Sequence, residues 1–393
     1  FINDEEITLF SPHEVPELYE AWGTPEFDEL YKTAERKTSI SKKKVSSQKL
    51  FIDILKERAE TGRIYIMNID HCNSHSSFKD RIYMSNLCQE ITLPTDPIQH
   101  IDGGGEIALC ILSSINVGLV RDLDDLEGLC DLTVRALEEI IDHQKYPVKA
   151  AEVSTKTRRS LGVGYIGLAH YLAKQKLKYN DKQAWKAVDQ LTEAFQYYLL
   201  KASNEIAQEK GQCDYFHRTK YSDGVLPIDT YKSEVDEIVN RKLSLKWEQL
   251  RKDIKQYGLR HSTLSAQMPS ESSSVVSNAT NGIEPPRDYL SIKKSKKGTL
   301  KQVVPDYQRL KNFYTLLWDM PNNEGYINIV AVMQKYFDQA ISGNWSYNPE
   351  NYEDNQVPVS VMVNDLLSTY KYGWKTSYYQ NTYDAKRDID EPA

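Results

Sequence analysis

Three short runs carry side chains whose types and spacing could do chemistry. In Asn86-Leu87-Cys88-Gln89-Glu90, an extended backbone would send alternate side chains to one face, setting an amide, a thiol and a carboxylate within about 13 Å. That set suits a small polyhydroxy substrate: the amide holds hydroxyls, the carboxylate takes a proton, and the sulfur does covalent or radical work. Taken alone, an inert cysteine buried in a β segment is the commoner outcome for such a run. Gly105-Glu106-Ile107-Ala108-Leu109-Cys110 ends an apolar stretch in a second thiol. It reads most simply as a core residue, and as one arm of a redox pair if another thiol lies within reach. Pro269-Ser270-Glu271-Ser272-Ser273-Ser274 precedes a short predicted helix over residues 274–279. Its hydroxyls and the free N–H groups of a helix N-terminus could cradle a diphosphate, or could simply cap the helix.

Two other clusters are less specific. Asp70-His71-Cys72-Asn73-Ser74-His75 offers three metal-type side chains, but no second ligand pair stands at a familiar spacing, so hydrogen-bonded polar residues at a strand end are expected and no metal. Tyr378 and Tyr379 are adjacent, which in a chain with 26 tyrosines is by itself unremarkable. No Gly-rich loop with a Lys is present, which argues against a nucleoside-triphosphate hydrolase.

The elements that must position these residues alternate between strand and helix. Helices are predicted over 26–36, 43–60, 122–142, 245–257, 307–318, 325–341 and from 358 to before Gly373. The clearest runs over 181–210, where Ala184, Val188, Leu191, Phe195, Leu199, Ala202 and Ile206 make one apolar stripe that reads as core. Short β runs fall at 64–69, 87–93, 106–112, 262–268, 289–292, 300–304 and 375–379. Such alternation predicts an α/β domain with a mainly parallel sheet or barrel, and nothing marks an internal domain boundary within 1–393.

Composition fits an ordinary globular chain: 393 residues, 40% hydrophobic and 27% charged. A net charge of −7 speaks against a sequence-independent hold on nucleic acid. Lys293, Lys294, Lys296 and Lys297 flank a glycine and read as a solvated hairpin tip. The longest apolar run, 107–120, is too short to span a bilayer, so no membrane role is expected. Five cysteines are few and odd in number for a disulfide framework, which favours a reducing cytoplasm.

Taken together and in this order, the runs resemble the large subunit of class I ribonucleotide reductase over nearly the whole chain. The resemblance rests on Asp70-His71-Cys72-Asn73, on Ser85 through Glu90, on Gly105 through Cys110, and on Met268-Pro269-Ser270-Glu271. It continues through the run from Ser277 to Arg287 and ends in Tyr378-Tyr379-Gln380-Asn381. It implies the second half of a ten-stranded α/β barrel, with a central finger loop carrying Cys88 as the thiyl-forming residue. It further implies Glu90 as base for the ribose 3′-hydroxyl, Asn86 on the ribose hydroxyls, and Cys110 as one member of the reducing dithiol. Pro269, Ser270, Glu271, Ser272 and Ser273 would bind the diphosphate of a ribonucleoside diphosphate. Tyr378 and Tyr379 would pass a radical inward from a second, metal-containing small subunit of the di-iron tyrosyl type, with no cofactor held on this chain. The family's amino-terminal half-barrel, its dNTP/ATP effector region and the cysteine that partners Cys110 have no counterpart here, so either a fragment or one piece of a split large subunit, completed by a complementary amino-terminal chain, is expected. A thioredoxin- or glutaredoxin-type reductant would regenerate the dithiol. The alternative is a non-catalytic nucleotide-binding or regulatory relative that kept the scaffold.

Overall fold

The computed structural model describes residues 3–100, 104–295 and 298–384. In chain order the elements are β1 (Glu6–Phe10), α1 (Pro16–Ala21), α2 (Glu26–Arg36), β2 (Lys42–Ser46), α3 (Ser47–Thr61), β3 (Ile66–Met67), α4 (Ile69–Ser74), β4 (Ile111–Asn116), α5 (Asp125–His143), α6 (Lys149–Arg158), β5 (Leu161–Ile166), α7 (Leu168–Lys174) and α8 (Lys182–Lys210). There follow α9 (Trp247–Tyr257), α10 (Glu271–Val276), β6 (Leu290–Ser295), β7 (Gly298–Val303), α11 (Tyr307–Leu310), α12 (Glu324–Gln334), β8 (Trp345–Tyr347), α13 (Val359–Lys371), β9 (Thr376–Ser377) and β10 (Gln380–Thr382).

The wall that matters for the site is parallel. β4 pairs with β5 in parallel register, Ile111 opposite Leu161 through Asn116 opposite Ile166. Parallel bridges from Val163 to Ser265 and from Gln267 to Ile341 extend it across two further extended segments. Helices fill each crossover, as parallel pairing demands, and they cover the wall's outer side. The seven stripe residues of α8 are all buried in the main core, packed with Val163 and Tyr165 of β5 and with Ile329, Val330 and Met333 of α12. Among the described residues, no helix is long and apolar enough to cross a membrane.

Several boundaries differ from the sequence expectation, each for a local reason. α3 starts at Ser47 rather than 43 because Lys42–Ser46 is spent on antiparallel pairing with β1, and the Ser46 hydroxyl then caps the helix by accepting the Lys49 N–H at 3.0 Å. Gly62 ends it in the left-handed conformation, φ 72°. Residues 70–75 lie mostly in the short helix α4, not at a strand end. The predicted helix 325–341 stops at Gln334, whose amide donates to the carbonyls of Phe337 and Gln339 and so turns the chain out into the wall. Residues 307–318 are α-helical only over Tyr307–Leu310. The predicted strands at 87–93 and 106–112 are irregular up to Ile111, and Gln89 has φ 69°. Extended alternation is therefore not what gathers Asn86, Cys88 and Glu90. α6, β5 and α7 escaped the sequence reading. The basic hairpin is present as β6–β7, with Lys293 and Lys294 on β6, whereas Lys296 and Lys297 lie outside the described residues.

Candidate active site

Cys88 sits on a long irregular loop whose base is held by charge. Arg158 of α6, 1% exposed, makes a bidentate pair with Glu106 at 2.8 Å and reaches Asp80 at 2.8 Å. Arg218 bonds Asp80 at 2.6 Å and grips Asp96 with two 2.9 Å bonds. Asp80 precedes the loop and Asp96 and Glu106 follow it, so two arginines close both stems. The Arg158–Glu106 pair is buried and bidentate and so holds a fixed geometry, while the Arg218–Asp96 pair lies nearer the surface.

Within the loop, the Asn86 side-chain oxygen accepts from the Ile91 N–H at 3.1 Å, and the Gln89 N–H donates to the Asn86 carbonyl at 3.1 Å. This tight turn, with Gln89 left-handed, brings Asn86 and Glu90 together: they are hydrogen-bond partners. Burial pushes the Glu90 carboxyl above the usual range, partly offset by hydrogen bonds from Asn86 and Ser342. The 339–342 segment of the wall backs the loop. The Ala340 N–H donates to the Glu90 carbonyl at 3.0 Å. The Ser342 hydroxyl bonds Glu90 Oε2 at 3.2 Å and also the Cys88 carbonyl.

The Tyr378 hydroxyl donates to Cys88 Sγ at 3.5 Å. Tyr378 is buried and Tyr379 half-buried, their rings 4.1 Å apart centre to centre, so the pair leads from the thiol toward the surface. Burial, then the hydrogen bond with Cys88, pushes the Tyr378 phenol upward. Hydrogen bonds from Tyr378 and Tyr65 hold the Tyr379 phenol below the ordinary tyrosine value. Arg58 of α3 is fully buried and donates to the carbonyls of both tyrosines, at 2.8 and 3.3 Å. Lys375, also fully buried, donates to the carbonyls of Phe337, Asp338 and Gln339 at 3.2, 2.9 and 2.9 Å, tying the chain three residues before Tyr378 to the segment that backs Cys88. Burial pushes its ammonium down to about 7.

Cys110 lies at the foot of β4, its thiol pushed up to about 12 by burial, with the Glu90 charge adding to the rise. Its sulfur occupies space that a side chain at residue 162 would fill: a Cβ on Gly162 would meet Cys110 Sγ at 2.7 Å. Cys72, Cys130 and Cys213 are buried and, like Cys88 and Cys110, unbridged. The Ser-rich turn starts where the 263–267 segment of the wall ends. Ser270 is buried and accepts the Ser274 N–H at 2.8 Å, opening α10, while Pro269, Glu271, Ser272 and Ser273 face outward. Of the metal-type cluster, His71 turns to the Trp374 carbonyl, His75 to Thr230 and the Gln334 carbonyl, and Cys72 to the Lys375 carbonyl. They diverge, and among the described residues no group of three or more such side chains is placed to hold a metal.

The sequence profile of the family described as "Ribonucleotide reductase, barrel domain" matches residues 1–380. The chain belongs to that family. Among curated relatives, the ribonucleoside-diphosphate reductase subunit alpha of Haemophilus influenzae is 54% identical over 396 residues, covering 99% of this chain and 52% of its own length. The ribonucleoside-diphosphate reductase 1 subunit alpha of Escherichia coli is 52% identical, and the subunit alpha of Enterobacteria phage T4 42% identical, each over 99% of this chain and 52% of the relative. The chain thus spans about half the length of the curated relatives it matches. Within this reductase barrel domain, Cys88, Glu90, Asn86 and the tyrosine pair converge, and Cys110 lies behind Glu90. Five contributors were missed by sequence reasoning: Ser342, Gln339, Arg58, Tyr65 and Lys375. Only Lys375 left a signal, a lysine inside a run otherwise suited to a buried strand.

Proposed function

We propose that this chain supplies the thiyl-radical half of a ribonucleoside-diphosphate reductase alpha subunit, converting ribonucleoside diphosphates to deoxyribonucleoside diphosphates. The observation that carries the reading is the line from half-buried Tyr379 through Tyr378 to the Cys88 sulfur, 3.5 Å from the Tyr378 hydroxyl. A radical-generating small subunit, of the di-iron tyrosyl type, would draw one hydrogen atom from Tyr379. Tyr378 then gives its hydrogen atom to Tyr379, and Cys88 gives its own to Tyr378. A Tyr378 phenol that resists ionisation favours moving proton and electron together along one hydrogen bond.

The Cys88 thiyl takes the hydrogen from the ribose 3′ carbon while Glu90 receives the 3′-hydroxyl proton and Asn86 holds the hydroxyls. The 2′-hydroxyl leaves as water with one proton from the thiol pair, and a hydrogen is added at the 2′ carbon. Glu90 then returns its proton to the 3′ oxygen and Cys88 its hydrogen to the 3′ carbon, restoring the thiyl. Cys110 and a second thiol supply two electrons and two protons and become a disulfide, reopened by a thioredoxin- or glutaredoxin-type reductant. The turn from Pro269 to Ser273 with the start of α10 would take the diphosphate. The second thiol, the effector site and the other half of a ten-stranded barrel, with Cys88 on its central finger, are assigned to sequence matching the relatives' remaining half, on this polypeptide or on a complementary chain. Residues 1–393 are read as one barrel unit.

A non-catalytic relative would have no use for a buried phenol aimed at a thiol. Cys88→Ser and Tyr378→Phe, assayed in the assembled reductase, test the reading. Both should bind nucleoside diphosphate normally and turn over none, because a serine hydroxyl holds its hydrogen too tightly and Phe has none to pass. Turnover retained in either variant overturns it.

A further inference from the structure

The wall segment that backs Cys88 also reaches Cys110, through one side chain the mechanism above does not use. Gln339 is fully buried, and every polar atom of its amide is engaged. Its Oε1 accepts the Thr92 N–H at 3.2 Å, while its Nε2 donates to the Leu161 carbonyl at 2.9 Å and lies 3.4 Å from Cys110 Sγ. Two of these partners decide the orientation. A backbone N–H can only donate and a carbonyl can only accept, so the amide cannot be flipped without losing both bonds. The remaining N–H therefore points at sulfur as a donor, with Cys110 as acceptor.

The backbone of Gln339 is fixed just as firmly. Its N–H bonds the Ser265 carbonyl at 3.0 Å, and its own carbonyl accepts from Gln334 and Lys375, each at 2.9 Å. One residue on, Ala340 bonds Glu90. The amide thus joins three segments: the return limb of the Cys88 loop at Thr92, the Cys110 segment, and β5 at Leu161. On the opposite side, Gly162 leaves the sulfur room to stay there.

We propose that Gln339 is a further residue of the reducing site, an amide donor held against the Cys110 sulfur that favours its thiolate. The donated N–H acts on the form of the thiol that forms the disulfide, since thiol–disulfide chemistry runs through the thiolate and a hydrogen bond to the charged form favours it. Burial and the nearby Glu90 oppose ionisation, and the Gln339 amide is the group acting in its favour. The significance of this contact rests on the reductase reading, but the contact is measured without turnover.

The test is alkylation of Cys110 by iodoacetamide at fixed pH in the assembled protein, with labelling of each cysteine followed by peptide mass spectrometry. Gln339→Met keeps length and apolar volume but has no donor. Cys110 labelling should slow about 10-fold, the effect of a pKa rise of about one unit, while Cys88 labelling stays constant. Unchanged or faster Cys110 labelling overturns the proposal, since the amide would then be packing or shielding. Altered Cys88 labelling overturns it too, because the residue would be acting on the loop through Thr92. If the Met variant fails to fold, Gln339→Leu, which also lacks the donor and adds no charge beside the sulfur, is read by the same outcomes. Slower Cys110 labelling together with full turnover in Cys110→Ser would leave the hydrogen bond standing and sink the reductase reading.

Discussion

Glu90 shows how little of a residue's role lies in its type. The carboxylate is buried between its own loop and Ser342, and burial raises its affinity for a proton. A base must be deprotonated to act, so turnover should fall as pH drops through this raised value, above the ordinary carboxylate range. Glu90→Gln should lower kcat by about 10²- to 10⁴-fold and abolish that acid limb, with diphosphate affinity unchanged. A pH–rate profile of parent and variant checks both parts, and a variant within a few-fold of the parent removes Glu90 from the reaction. Asn86, Cys88, Glu90 and Cys110 were legible as chemistry-bearing types, and the first three as neighbours, but the turn that gathers them was not. The expected strand would have lined them up by alternation, whereas Gln89 turns the chain with φ 69° and leaves Leu87 exposed. Tyr65 and Arg58 left no signal, because their contacts to Tyr378 and Tyr379 cross some three hundred residues of chain.

At the scale of elements, the site depends on how closely the wall's strands approach. β5 carries the alternating glycines Gly162 and Gly164, and neither has a positive φ, so space rather than backbone freedom is what they provide. Gly162→Ala would set a Cβ at 2.6 Å from Leu112 Cδ2 and 2.7 Å from Cys110 Sγ. Overpacking of this kind typically costs about 1–3 kcal/mol, so the urea midpoint should fall and Cys110 labelling should change with it. An unmoved midpoint would mean that Leu112 and the sulfur shift aside freely. The sequence reading missed β5 because Leu-Gly-Val-Gly-Tyr-Ile has too few bulky residues to stand out as a strand. The same smallness lets Ala266 pack against it. The long helices were legible because the apolar stripe of α8 repeats over 29 residues, which no local turn can mimic.

For the molecule as a whole, the α/β class was legible from the alternation of elements, but a mainly parallel sheet is not what the described residues show. β1–β2, β3–β9 and β6–β7 pair antiparallel. The parallel wall joins segments roughly fifty to a hundred residues apart, which local sequence does not reveal. Lys375 is where that pairing meets proton binding. Its ammonium is pushed down to about 7 in the folded chain from an ordinary value of 10.5. Between those limits the unfolded chain binds more protons, so stability should rise with pH, by up to about 1.4 kcal/mol per unit. Below about 7 both states are protonated and the benefit is gone. Lys375→Met removes this slope, leaving the Phe337 and Gln339 carbonyls to the Gln334 amide and taking the Lys375 donor from the Asp338 carbonyl. Unfolding free energies of parent and variant at pH 7 and pH 9 should diverge, the parent gaining. Parallel pH dependence in the two would show that Lys375 is not titrating there.

The arginine closure of the Cys88 loop carries a consequence for chaotropes. Arg158 is sealed in, but Asp96 is open to solvent opposite Arg218, with side-chain exposures of 45% and 23%. A free guanidinium ion has the same planar fork and the same positive charge as the Arg218 head and can replace it on that carboxylate, whereas urea has the fork without the charge. Low guanidinium chloride should therefore unfasten the loop and silence turnover well before the α8 core melts. Urea of equal denaturing strength, with sodium chloride added to match ionic strength, should leave turnover and folding to be lost together.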